Sequence, residues 1–246
     1  MSKFFAVIIG AGGGTGGAVA ARFSKAYPVV LLARTPATYE SSVKAINDAG
    51  GKAIGISADA NSRASIDAAF ETIAKELPDH KLAAAIYNAS GGLAPTPFAE
   101  IDPQTLETSI DVNIRGFFNF AQKTLPLLED AVSTSPNPPS LIVTGATGSV
   151  RGTARFATFA AGKWAKRGLA QSIAREYAPK GVHVAHAVID GIITGPRTEH
   201  LTHANGGAPD GKISADSIAE TYWSLHTQHR SGFTWEVDIR PYVEKW

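Results

Sequence analysis

Gly10, Gly14 and Gly16, in "GAGGGTGGAVAARF", stand at spacings of four and two, directly behind a short apolar run and directly before a helical pattern. Glycines so placed let backbone approach a pyrophosphate closely, and the helix behind them offers unpaired N–H groups and a positive dipole end. The glycines alone are a weak signal, equally at home in a flexible turn. Their place between a strand and a helix is the context that points to a dinucleotide. Much later in the chain, "RFATFAAGKWAKRGLAQ" (155–171) reads as a helix of small and apolar residues. Lys163 there lies four residues after Phe159 and shares its face. A benzyl ring can neither accept an ordinary hydrogen bond from an ammonium nor donate one, so the lysine needs another partner.

The second apolar run ends in "LLART", with Arg34 and no carboxylate before Glu40. A carboxylate at that place accepts hydrogen bonds from the ribose diol of NAD, whereas a guanidinium suits a 2′-phosphate. NADP is therefore favoured over NAD. The alternative is that Arg34 is a solvated strand-end residue.

The elements that must position these groups are legible as an alternation of short apolar runs and longer helical patterns, the mark of a parallel sheet covered by helices. Strands are predicted at 4–9, 29–33, 52–57, 82–87, 140–144, 182–189 and 235–239. Most lack polar alternation, as strands buried on both faces do. Asp102 before Pro103, and Ser214, read as helix caps, and "AGG" (49–51) as a helix stop. The stretch 133–140 reads as a surface turn, and the long glycine-rich stretch 194–212 as a lid, a substrate-side loop or a disordered segment.

Composition narrows the partners. A chain of 246 residues, 44% hydrophobic and 18% charged, can bury one large core, and no linker or repeat divides it. A net charge of +1 without like-charge blocks points to a small-molecule substrate and away from nucleic acid and anionic membrane. Absence of cysteine excludes disulfides and thiolate chemistry. With no leader-like or spanning segment, cytoplasm is the expected location. His200 with His203 and His226 with His229 share helical spacings. Isolated pairs of this kind are usually surface residues, so no metal is assigned.

With these residues in hand, the chain resembles the short-chain dehydrogenase/reductase family over nearly its whole length. "GAGGGTG" is similar to the family's TGxxxGxG, with Ile9 in place of threonine. "SADA" puts Asp59 at the adenine-contacting aspartate, and "YNAS" keeps Asn88 and Ala89 of NNAG. "DVNIRGFF" puts Asn113 at the catalytic asparagine, and "FAAGK" resembles YxxxK, making Lys163 the lysine that binds the nicotinamide ribose. The resemblance implies a single-domain, Rossmann-like, doubly wound parallel sheet of about seven strands. It also implies a cofactor site including Gly10, Gly14, Thr15, Gly16, Arg34, Asp59, Asn88, Ala89, Lys163, Gly191 and Thr194, and a homodimer or homotetramer built through the helices carrying Asn113 and Lys163.

The departures fall on the chemistry. Phe159 occupies the position of the family's tyrosine, which exchanges a proton with the substrate oxygen. Ala146, thirteen residues earlier, occupies that of the serine that steadies this oxygen. The family's PG becomes "IDGIITG", with Asp190 for proline, Gly191 kept and Thr194 one place early. A positioned acid is worth about 10²–10⁴-fold in rate. Three substitutes are available: Thr147 through water, Tyr87 at the exit of the fourth strand, and Asp190, whose bland alternative is a cap for the turn. The favoured function is an NADP-dependent oxidoreductase with a non-standard proton donor, acting on a carbonyl, hydroxyl or activated double bond. The alternative is a protein that binds NADP(H) without redox turnover, as a sensor or a non-redox catalyst.

Overall fold

The structure, a computed structural model, describes residues 2–245. Its strands are β1 (Phe4–Ile9), β2 (Val29–Ala33), β3 (Ala53–Ser57), β4 (Lys81–Tyr87), β5 (Ser140–Thr144), β6 (His183–Ile189) and β7 (Glu236–Ile239), each within one residue of its apolar run. All pair in parallel in one sheet ordered β3-β2-β1-β4-β5-β6-β7. Because strand side chains alternate, Phe5, Val7 and Ile9 of β1 enter one apolar layer while Ala6 and Ile8 enter the other. Helices α1 (Thr15–Phe23) and α2 (Pro36–Asp48) cover one face of the sheet, and α3 (Arg63–Glu76) lies on the other. The short α4 (Pro103–Ile110) leads into α5 (Gly116–Ala131), which with α6 (Ala157–Tyr177) completes the second face; α7 (Ala215–His226) completes the first.

Local chemistry accounts for the helix ends. The Asp102 carboxylate accepts from the Gln104 N–H at 2.9 Å, ahead of Pro103 at the first helical position of α4. Ser214 accepts from the Ser217 N–H at 3.5 Å to start α7. The helix α2 stops at Asp48, and Gly50 follows in the left-handed region.

The stretch 194–212 runs as a loop around one short helical turn, Ala204–Gly207. It is pinned by the Ile193 to Ile213 bridge, by Lys212 Nζ donating to the Thr198 carbonyl at 2.7 Å, and by Asn205 Nδ2 donating to Gly211 O at 2.9 Å and Glu244 at 2.8 Å.

The chain leaves β1 for β2 on one side and β4 for β5 on the other. A crevice therefore opens beyond the carboxyl ends of β1 and β4, the place where such sheets bind ligands. No helix among the described residues is long and apolar enough to cross a membrane.

Candidate active site

The glycine turn fills the floor of that crevice. Gly10 has φ +83°, and a Cβ there would sit 2.6 Å from the Ala89 nitrogen. A Cβ on Gly16 would sit 2.4 Å from the Gly10 carbonyl oxygen. Asn88 Nδ2 donates to that same oxygen at 2.9 Å, tying the end of β4 to the turn. These two glycines are thus required by the protein's own packing. Gly14 differs, because a Cβ there would meet nothing within 4 Å. It caps α1 without a side-chain bond, so the first N–H groups of the helix, at Thr15 and Gly16, point into the crevice without intrahelical acceptors. Arg34, at the end of β2, is exposed and forms no ion pair among the described residues. The Thr35 and Thr38 hydroxyls meet at 3.0 Å beside it. Asp59, half-buried after β3, accepts from the Asn61 N–H at 3.0 Å. Such a cradle, with bare backbone donors and a cation at the second strand, fits a dinucleotide phosphate.

Asn113 sits in a π-helical turn, Asp111–Arg115, between α4 and α5. Extra turns of that kind recur at functional sites because they re-aim one side chain. Its Nδ2 donates to Ser109 O at 3.1 Å and Gly91 O at 3.2 Å, while its Oδ1 is buried without a partner among the described residues. Helix α6 closes on this turn through Gly162, where a Cβ would lie 2.3 Å from Ser109 Oγ. Lys163, the next residue, is 2% exposed. Its ammonium donates to the Thr144 carbonyl at 3.5 Å and lies 5.3 Å above the centre of the Phe159 ring. The ring face is the partner that the sequence left open, since it attracts a cation without any hydrogen bond. Burial pushes the Lys163 amine down to about 8.

Phe159 is half-buried, its ring against Gly148, where a Cβ would stand 3.0 Å from it. Ala146 and Thr147 follow β5, and the Ala146 N–H donates to Ser149 Oγ at 3.1 Å. The structure brings Thr147 and Asp190 together. The Thr147 hydroxyl donates to one Asp190 oxygen, and Arg240 pairs with the other at 3.1 Å. Asp190 is 5% exposed, and both its oxygens are engaged as acceptors, one by Thr147 and one by Arg240. Tyr87 is completely buried, its hydroxyl donating to the Val112 carbonyl, and burial raises it above the usual phenol range. It faces the core beneath the π turn and not the crevice.

Gly191 and Thr194 carry the chain into the loop, Thr194 bonding Ile213 O through its N–H at 2.8 Å and its hydroxyl at 3.2 Å. The loop then crosses the glycine turn, where a Cβ on Gly195 would lie 3.6 Å from Gly14 Cα. His226 is buried, between the Tyr27 hydroxyl at 2.9 Å and Ser140 at 2.8 Å. This corrects its reading as a surface residue; an alternation rule for strands says nothing about which helix residues meet a strand's first hydroxyl.

Sequence reasoning missed a second group behind Lys163. Lys166 is fully buried; His186 on β6 shares its Nδ1 with Glu236 on β7 at 2.9 Å; Arg167 grips Glu236 with two nitrogens, at 2.6 and 2.9 Å. Burial holds His186 down to about 4 despite that carboxylate, and the Arg167 bond holds Glu236 below the usual carboxylate range. The available signal was a second lysine, three residues after Lys163, in an otherwise apolar face.

The family model for short chain dehydrogenases matches residues 5–205. The chain belongs to that family. It is similar to the short-chain reductase protein NovJ of Streptomyces niveus, 27% identical over 96% of this chain and 87% of that protein. The crystal structure of a short-chain dehydrogenase from Rhodopseudomonas palustris superposes with a TM-score of 0.81 at 27% identity, covering 98% of this chain and 100% of that one. A 3-ketoacyl-(acyl-carrier-protein) reductase of Brucella melitensis, solved with NADH, shares the fold with a TM-score of 0.83 at 24% identity, covering 98% of each chain. The family accounts for the seven-stranded parallel sheet with helices on both faces and for an oxidoreductase class of activity.

Proposed function

We propose that the protein is an NADP-dependent oxidoreductase acting on a small carbonyl, hydroxyl or activated double bond, with Lys163 as its proton-bearing group. The observation that carries this reading is the buried ammonium of Lys163, placed by α6 against the Asn113 turn at the carboxyl end of the sheet. The glycine turn and the first N–H groups of α1 would hold the pyrophosphate, Arg34 the 2′-phosphate, and Asp59 with Asn88 and Ala89 the adenosine side. Lys163 and Thr194 would hold the nicotinamide end. When bound, the reduced nicotinamide supplies a hydride; what the chain must add is a proton at the substrate oxygen.

Phe159 at the tyrosine position and Ala146 at the serine position have none to give. The Thr147 proton is committed to Asp190, so Thr147 can steady a substrate hydroxyl as an acceptor but not protonate it. Asp190 is engaged at both oxygens and Tyr87 is out of reach. Lys163 remains. Its N–H bond breaks as the O–H bond forms, leaving an amine that solvent reprotonates. The choice of NADP rests on Arg34, since the Brucella relative was solved with NADH.

The test is a fluorescence titration with NADPH and NADH, followed by a carbonyl panel on the native protein and on the Phe159→Tyr, Ala146→Ser variant. NADPH binding with native turnover is expected. Binding with turnover only in the variant would overturn the oxidoreductase reading and leave a binding protein without redox turnover; failure of both nucleotides to bind would overturn both. The exposed Phe118 on α5 and Trp164 on α6 support a homo-oligomer joined across these helices, which light scattering checks. The loop 194–212, laid over the glycine turn, is the substrate-side wall of this reading.

A further inference from the structure

Behind β7 the chain makes a turn in which the Glu244 N–H donates to the Pro241 carbonyl at 3.0 Å. The base of this turn is fixed to the end of β6. The Asp190 N–H donates to the Ile239 carbonyl at 2.8 Å, Arg240 pairs with the Asp190 carboxylate at 3.1 Å, and Pro241 is buried so closely on Gly191 that a Cβ on Gly191 would lie 2.8 Å from Pro241 Cδ. From that base the half-buried Glu244 side chain reaches the loop 194–212, where its Oε2 accepts from Asn205 Nδ2 at 2.8 Å. The same amide donates to the Gly211 carbonyl at 2.9 Å, so it ties the turn to the far limb of the loop. The bonding continues inward. Lys212, beside Gly211, donates to the Thr198 carbonyl at 2.7 Å, and the Thr198 hydroxyl donates to the carbonyls of Ile193 and, at 3.2 Å, of Gly195. Gly195 and Pro196 lie over the glycine turn: a Cβ on Gly195 would be 3.6 Å from Gly14 Cα, and one on Gly13 would be 4.0 Å from Pro196 Cγ.

A series of polar contacts thus runs from Glu244 through Asn205, Lys212 and Thr198 to the backbone that covers Gly13 and Gly14. The contacts within the loop hold its shape, whereas the Glu244 bond holds its middle to the body of the protein. Little else does so by packing, since no residue from Thr194 to Asp210 is buried and Leu201, the one large apolar side chain of that stretch, is exposed. A segment with few buried apolar contacts opens locally at low cost, and one charge-assisted hydrogen bond is then a large share of what keeps it closed. We propose that Glu244 is a positioning residue: by holding Asn205 it keeps the loop 194–212 down on the glycine turn, and so sets how fast a ligand enters and leaves the crevice. That the ligand is NADPH rests on the oxidoreductase reading, whereas the hold on the loop does not.

The test compares, in the full chain, Glu244→Met, which keeps length and bulk without an acceptor, and Glu244→Gln, whose side-chain carbonyl still accepts from Asn205. Amide hydrogen exchange without nucleotide is followed in peptides covering 198–211 and, as a control, in β5. Glu244→Met is expected to speed exchange in the loop about fivefold, the worth of one partly exposed hydrogen bond, and to leave β5 unchanged, while Glu244→Gln stays within about twofold of native. In Asn205→Gly, which tolerates the left-handed φ of +51° and has no amide, adding Glu244→Met should change nothing further. Exchange in the loop that is unchanged in Glu244→Met, equally fast in Glu244→Gln, or quickened to the same extent in β5 overturns the proposal, as does a full second effect in the Asn205→Gly background. Stopped-flow fluorescence with NADPH then reads the passage of ligand. Entry and release should both quicken about fivefold in Glu244→Met, with Kd changing less than either rate; faster exchange beside unchanged rates would refute the control of passage. Failure of the native protein to bind NADPH, with the exchange changes intact, would strike the oxidoreductase reading alone and leave the hold of Glu244 on the loop.

Discussion

Gly10→Ala and Gly14→Ala, four residues apart in one turn, are expected to fail in different ways. At Gly10 the new methyl meets three backbone atoms, Ala89 N at 2.6 Å, Asn88 C at 2.7 Å and Ala89 Cα at 2.8 Å, and backbone cannot swing aside as a side chain does. The left-handed φ of +83° adds its own penalty for a residue with a Cβ. Together these amount to about 2–5 kcal/mol. In a domain of this size that is a fall in Tm of roughly 5–15 °C. At Gly14 a methyl meets no protein atom within 4 Å, and only the weaker capping of alanine is felt, about 0.5–1 kcal/mol or roughly 1–4 °C. On the proposed reading the same methyl would stand in the space given to the pyrophosphate, so NADPH affinity is expected to fall by at least about tenfold. Differential scanning fluorimetry with and without NADPH reads both numbers. If Gly14→Ala melts as early as Gly10→Ala, or binds NADPH as well as the native chain, the division of this turn into packing glycines and ligand glycines is wrong.

Replacement of Arg34 by Glu is expected to weaken NADPH binding about 10–100-fold, the worth of one charge-assisted contact, and to change NADH affinity far less; equal losses would sink the assignment of the 2′-phosphate. His186 and His226 are held down to about 4 by burial, so the unfolded chain, whose histidines titrate near 6.5, binds protons that the folded chain refuses. Stability is therefore full above about pH 6.5, declines as the pH falls toward 4 and then levels, by up to about 3 kcal/mol per residue. Urea unfolding at pH 7 and pH 4.5 measures it, His226→Gln should flatten part of the slope, and a flat native profile would contradict the burial argument. Asp190→Asn weakens the hold on Arg240 and Thr147 and should lower Tm by roughly 2–6 °C, about 1–2 kcal/mol, with NADPH affinity within about twofold; a large loss of affinity with unchanged Tm would return Asp190 to the site.

The fold was legible because every strand is an apolar run bounded by turn chemistry, and the periodicity that marks a buried parallel strand survives without knowledge of its neighbours. Gly10, Gly16, Asn88 and Lys163 were legible for a similar reason, since each is demanded by a local shape or a fixed motif spacing. The pairing of Thr147 with Asp190 was not, because it joins the ends of β5 and β6, 43 residues apart, and no periodicity links them. The sequence offered each as a candidate acid; only their contact shows that one engages the other. The burial of Lys166 was not legible for the same reason. A lysine announces a surface until the strand and ring that bury it are known.

Strand β7 is made after the other six strands of the sheet, yet it and the residues just behind it hold side chains of its neighbour. Glu236 anchors His186, midway along β6, together with Arg167, and Arg240 anchors Asp190 just past its carboxyl end. A ribosome that has released residues 1–230 has produced six of the seven strands and the glycine turn, but not the counter-charges for β6. Nascent chains stalled before and after residue 240 should therefore separate two steps of assembly. The shorter chain is expected to fold its amino-terminal strands, and only the longer one to lock the β6 edge of the sheet against proteolysis.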